Sequence, residues 1–144
     1  MATAFDSIEA AVVALLAAGT PVSTRIETDE ARPLGTQYTD GVLVRITHSD
    51  IEPAAISGGP LLAQTTMEIE LRKLGPVAQS AAKALATLLA AVNGRIAAAP
   101  GLGGLAMDTR LISLDFETAP GEVPAHSCLM TWTVEHQISR TTLA

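Results

Sequence analysis

The chain has 144 residues, 48% of them hydrophobic, and its 9 Lys and Arg against 15 Asp and Glu give a formal charge of −6. That length suits a single domain spanning 1–144, able to bury roughly two-thirds of its unfolded surface without a disulfide or metal staple. The one cysteine, Cys128, has no partner for an internal bridge. Duplex DNA binding needs clustered Lys and Arg, which the acidic balance does not supply. No apolar stretch nears the ~20 residues needed to cross a bilayer, because Asn93, Gly94 and Arg95 interrupt the longest one, so no membrane partner is expected.

The first element is a helix over about 6–18. Phe5, Ile8, Val12 and Leu15 or Leu16 fall on one stripe, Asp6 and Glu9 resemble a capping box, and Gly19 is placed to end it. The Asp and Glu in this segment, with no basic flank before them, fit a helix of the mature fold better than a signal peptide. Val22, Thr24 and Ile26 then alternate with polar residues and predict a strand over 21–28, followed by a loop over 29–41. A second strand, GVLVRITH, places Val42, Val44 and Ile46 on one face. Residues 49–60, SDIEPAAISGGP, form a connection long for a hairpin, and Ile51 and Ile56 make it more apolar than a solvated loop requires.

The next strand, around TTMEIELR, sets Met67, Ile69 and Leu71 against Thr66, Glu68, Glu70 and Arg72. Gly75 frees a turn, and Pro76 suits a first helical position. Val77, Ala81, Leu85, Leu88 and Val92 then form a helical stripe, with Asn93-Gly94 as its stop signal. Residues 95–106 look like a mobile apolar loop. A final antiparallel pair follows: TRLISLDFE, with Ile112, Leu114 and Phe116 on one face, and HSCLMTWTVEHQI, with Cys128, Met130, Trp132 and Val134 on one face. The expected fold is α+β, in the order α-β-β-β-α-β-β. It has one mainly antiparallel or mixed five-stranded sheet with two helices packed on one face.

No residue set in this pattern is built for catalysis. His126 and His136 share a face of the last strand, but ten residues at ~3.3 Å each separate them by roughly 33 Å, too far to share a metal ion. Cys128 is two residues from His126, where parallel side chains about 6–7 Å apart make a poor nucleophile–base pair. Gly101-Leu102-Gly103-Gly104 follows a helix and lacks the Lys-Ser or Lys-Thr of a phosphate loop. Asp108 and Asp115 stand ~23 Å apart along one strand, too far for a working carboxylate pair. Asp115 and Glu117 fit a solvated face, and Trp132 a core anchor. No catalytic, metal-binding or cofactor-binding residue is assigned, and no cofactor is expected.

The order and length of the elements resemble the tail terminator (minor tail, tail-completion) proteins of long-tailed bacteriophages. The likeness runs from IEAAVVALLAAG, through VLVRITH and TTMEIELR, to PVAQSAAKALATLLAAV and LMTWTVEHQ. It implies a structural virion protein with no catalytic activity. Copies would form a ring, sixfold in that family, that caps the tail tube and ends its polymerisation. The ring would attach a neck or head-completion protein and let DNA pass without specific binding. Its partners would be itself, the tail-tube protein and the neck protein, and its place the virion tail, assembled in the host cytoplasm. Two features of the residues agree: a long apolar connection at 49–60 that a neighbour could order, and an acidity suited to a channel that DNA slides through. Asp50, Ile51, Glu52 and Ile56 are the expected contacts to a neighbouring subunit or the tube. The alternatives are a head-tail connector or neck protein of the same general fold, and a small oligomeric enzyme joining His48 of one subunit to an Asp or Cys128 of another.

Overall fold

The computed structural model describes residues 3–28, 40–54, 58–76 and 78–144. Helix α1 (Ala4–Ala17) leads into a short strand β1 (Ile26–Glu27), then β2 (Asp40–Pro53) and β3 (Leu61–Leu74). Helices α2 (Ala81–Ala84) and α3 (Ala86–Ala97) and a 3-10 turn at Leu102–Gly104 follow, then β4 (Asp108–Ala119) and β5 (Ala125–Ile138). The five strands form one sheet in the order β1-β2-β3-β5-β4. β1 is parallel to β2 and every other pair is antiparallel, so the fold is α+β with a mixed sheet.

The core lies on one face of the sheet. Ile8, Val12 and Leu16 of α1, with Leu85, Leu88, Val92 and Ile96 of the second helical segment, pack on Val42, Val44, Met67, Ile69, Leu71, Met130, Trp132 and Val134. Apart from Ile96, which the sequence assigns to a loop, these belong to the stripes the sequence marks. At ~1.5–3 kcal/mol for each large apolar side chain fully buried, they supply the main favourable contribution to folding.

Several local readings change. Thr3, not Asp6, caps α1: its hydroxyl accepts from the Asp6 N–H at 3.3 Å, and the Asp6 carboxylate accepts from the Thr3 N–H at 3.0 Å. The capping box is therefore Thr3 and Asp6, one turn earlier than Asp6 and Glu9. Accepting the Thr3 N–H and hydroxyl also lowers the Asp6 pKa. The strand expected over 21–28 shrinks to two residues. The Ser23 hydroxyl donates to Asp40 at 2.6 Å and accepts the Arg25 N–H at 3.2 Å, a local side-chain bond that bends the backbone before it can pair.

The second helix begins later and ends later than its sequence signals. Gly75 and Ala78 both adopt positive φ, at 62° and 68°, so the chain turns through this segment, and the helix starts where Ser80 caps the Lys83 N–H. It breaks at Leu85 and then runs through Asn93-Gly94 to Ala97. Arg95, expected in a mobile loop, instead points its guanidinium at the end of α1. It donates to the carbonyls of Leu15 at 2.8 Å and Ala18 at 2.6 Å, and to that of Thr20. A cation at the negative end of a helix dipole, satisfying orphan carbonyls, outweighs the weak stop signal of one glycine.

Five residues of the dozen-residue connection at 49–60 belong to strand β2. Ser49, Asp50, Ile51, Glu52 and Pro53 pair with Thr65, Gln64, Ala63, Leu62 and Leu61, so only residues 54–60 connect β2 to β3. The C-terminal SRTTLA segment is also tied down. Arg140 donates to the Gly59 carbonyl at 2.7 Å, and the Ala4 N–H donates to the Leu143 carbonyl at 2.8 Å.

Candidate functional site

The residues with chemical potential are dispersed and mostly buried. Cys128 lies in the core, and burial, with the Asp115 charge adding to it, raises its thiol pKa, the reverse of an activated nucleophile. His126, two residues away on the same strand, is also buried. Its Nε2–H donates to the Pro76 carbonyl at 3.2 Å, and its Nδ1 accepts from the Thr118 hydroxyl at 3.0 Å. Both nitrogens are engaged in tying the β3–α2 turn and β4 to β5. His48 is exposed, 3.1 Å from Asp50 of its own strand. An inter-subunit site joining His48 to Cys128 is therefore ruled out, because a buried sulfur cannot meet a second chain.

One hydroxyl–imidazole pair escapes sequence reasoning. Thr65 Oγ1 lies 2.6 Å from His136 Nε2 and 2.9 Å from Ser49 Oγ, a polar chain across β2, β3 and β5. The geometry is that of a nucleophile and base, but Thr65 and His136 are both buried. Phe5 of α1 meets the imidazole edge-on, with centroids 5.8 Å apart. Desolvation lowers the His136 pKa and keeps the ring neutral. A substrate could not reach this pair, so its chemistry is structural. Strand registration alone brings Ser49, Thr65 and His136 together, and no spacing in the sequence announces it. Among the described residues, no group of three or more His, Cys, Asp or Glu side chains could hold a metal ion. No described helix is long and apolar enough to cross a membrane.

The accessible features are surfaces. The β2–β3 hairpin carries Asp50, Ile51 and Glu52, which with Gln64 line a shallow cleft of about 190 Å³. Ile56 lies outside the described residues. The outer face of the sheet, opposite the helices, carries Glu68, Glu70, Asp108, Asp115, Glu117 and Glu135 among Arg45, Arg72 and Arg110. The acids and arginines interleave: Arg45 reaches Glu68 at 3.3 Å, and Arg110 reaches Glu135 at 3.1 Å and Asp108 at 3.5 Å. A cleft of about 370 Å³ on this face runs between Arg45, Glu70, Asp115 and Glu117, over Ser127 and Leu129.

Edge strand β4 differs most from expectation. Its pairing with β5 slips at Ile112, between Leu111 and Ser113, so Ile112 is the extra residue of a bulge instead of a member of the inward row. Leu111, Leu114 and Phe116 face the helix side but are incompletely covered. With Ala82, Ala86, Leu89, Ala90 and Asn93 they line an apolar groove of about 380 Å³.

No protein-family model matches the chain, and no curated protein matches it. Among solved structures it is similar to a chain of the "Virion of native gene transfer agent (GTA) particle". That match has 18% sequence identity and a TM-score of 0.38, and covers 90% of this chain and 93% of that one. A likeness this loose carries no conclusion about fold or function.

Proposed function

We propose that this chain is a structural virion protein of a long-tailed bacteriophage. In this reading copies form a ring that caps the tail tube, stops its polymerisation and offers a surface to the neck or head. The protein catalyses no reaction. The observation that carries the reading is the sheet's outer face, which no described helix covers and on which acids outnumber arginines. An antiparallel sheet can present one polar face to water. Turned inward in a ring, such a face lines a channel whose negative charge keeps DNA from adhering. Asp50, Ile51 and Glu52 on the β2–β3 hairpin form part of the contact with a neighbouring subunit or the tube, and the exposed Ile51 is its apolar element. The sequence places Ile56 in the same contact.

The test is assembly. The purified protein, alone and with tail-tube protein, is sized and imaged by negative stain. A sixfold annulus with a central hole is the expected result. A monomer at every concentration that also fails to bind tube ends would overturn the proposal. Ile51→Asp is expected to leave the circular dichroism spectrum unchanged and to abolish ring or tail association. Intact assembly in that variant would remove the hairpin from the interface.

A further inference from the structure

We propose that β4 of one copy pairs antiparallel with β2 of a second copy, Arg45 facing Asp115 and Asp50 facing Arg110. This rests on the ring reading and names the two surfaces that join.

Among the described residues, the β2 edge beyond Leu43 and the β4 edge are open. Among the described residues β1 pairs only with Val42 and Leu43, which leaves β2 from Val44 to Pro53 without a neighbour on that side, and β4 pairs only with β5. Each edge presents a row of backbone groups that a further strand could satisfy. The directions also fit. β2, β3, β5 and β4 alternate, so β4 runs opposite to β2 within one sheet. A second copy brought round by rotation, its helices on the same side, therefore presents β2 antiparallel to β4. Contacts of this head-to-tail kind close into rings.

The register follows from two bulges. β2 has its extra residue at Thr47, and β4 has one at Ile112. A bulge in only one of two pairing strands would put their in–out alternation out of step, because the side-chain period is two. With Arg45 opposite Asp115, Thr47 and Ile112 fall beside each other and the faces stay matched on both sides. Val44 and Ile46 then meet Phe116 and Leu114 on the helix side. On the outer side two pairs of opposite charge form, Arg45 with Asp115 and Asp50 with Arg110. The single like-charged pair, Glu52 with Asp108, falls at the end of the ladder.

The area is adequate. Met107, Leu111, Ile112 and Phe116 are 55%, 37%, 58% and 41% exposed. Together these four present on the order of 400 Å², as large as the biggest apolar patch a monomer usually keeps. That is about half of the ~800 Å² per partner in a stable complex. The groove of about 380 Å³ beside α3 lies on the helix side of the same edge, where a neighbour's helix layer would cover it.

Sedimentation velocity over a concentration series tests the pairing with the parent chain, Arg45→Asp, Asp115→Arg, and a 1:1 mixture of the two variants. Each variant alone should self-associate at least about tenfold more weakly than the parent chain, because every contact then sets like charges together. The mixture should recover most of the loss. Each intact Arg45 meets an intact Asp115 from the other variant, and the two substituted side chains meet with opposite charge. Arg45 also pairs with Glu68 in its own chain, as the more exposed Arg110 does with Asp108 and Glu135. Asp50→Arg and Arg110→Asp therefore repeat the design at more exposed positions, with circular dichroism checking the fold of all four. If the parent forms rings and no reversal weakens them, or mixing restores nothing, the pairing is wrong and the ring reading survives. If the parent is monomeric at every concentration, both fall.

Discussion

β4 and β5 are neighbours with similar apolar alternation and opposite fates. On β5 the inward row of Cys128, Met130, Trp132 and Val134 is buried beneath the helices. On β4 the residues paired to that row, Leu111, Leu114 and Phe116, line an open groove. Alternation states which face a side chain takes. It does not state whether that face is covered, and coverage depends on a strand's place in the sheet. Two helices side by side cover roughly 20 Å, about four strand spacings, so the last of five strands lies at the margin.

The sharpest test of that difference is a pair of alanine substitutions. Trp132→Ala empties the centre of the core and should cost about 3–5 kcal/mol in a urea titration, enough to unfold a marginal domain. Part of the loss is offset, because Trp132 Nε1 is buried without a partner among the described residues and the substitution removes that group. Phe116→Ala should cost about 1 kcal/mol or less in the same titration, because the ring is only partly covered in the monomer. Its main effect should appear in association. Equal destabilisation by both would mean that β4 is as much core as β5.

A middle-sized effect is expected at Arg95, which joins the two helices over the covered part of the sheet. Arg95→Ala leaves the α1 carbonyls to water and should lower stability by about 1–3 kcal/mol by thermal or chemical unfolding. Arg95→Lys should recover the charge interaction but not all three hydrogen bonds. If Arg95→Ala is silent, the covering layer is held by its apolar stripe alone.

A smaller effect lies within β5 itself. Burial depresses the His136 pKa below its ordinary 6.5. Above about pH 6.5 the ring is neutral folded and unfolded, and the site makes no pH-dependent contribution. As pH falls below that value the unfolded chain takes up the proton first, so stability should fall and then level off once pH passes the lowered folded value. Thr65→Val should cost about 1–3 kcal/mol by stranding Nε2. A His136→Phe variant should lose this acid-side decline, and an unchanged pH profile in that variant would assign it elsewhere.

The sheet, its element order and the inward rows of β2, β3 and β5 are legible because period-two and period-3.6 patterns record burial directly. Three kinds of information are not. The Arg95 cap and the Ser49–Thr65–His136 chain join residues distant in sequence, and only tertiary registration shows them. The start of the second helix turned on Ala78 at positive φ, which no propensity foretells. The sequence of the hairpin resembles a loop because Pro53 and the Ala and Gly around it are weak strand formers, yet pairing with the strongly alternating β3 carries β2 to Pro53. Asp50, Ile51 and Glu52 therefore project from a rigid strand, not from a segment awaiting order.

The smallest expected effect concerns Ile112, at the bulge. As a member of the inward row, which the alternation of TRLISLDFE implied, it would cost about 0.5–1.5 kcal/mol on conversion to valine and more on conversion to serine. As the extra residue of an exposed bulge it has little monomer packing to lose, and Ile112→Ser should fall within about 0.5 kcal/mol of the parent. An extra residue on an edge normally discourages a further strand, so Ile112 should matter to assembly only if the opposing strand carries a matching irregularity. Deleting Ile112 outright separates these roles. The monomer should gain a straighter β4 with little change in stability, while pairing against the bulge at Thr47 should fall out of step and association should drop more than for Ile112→Ser. Equal association of the deletion and the serine variant would place the interface away from this edge.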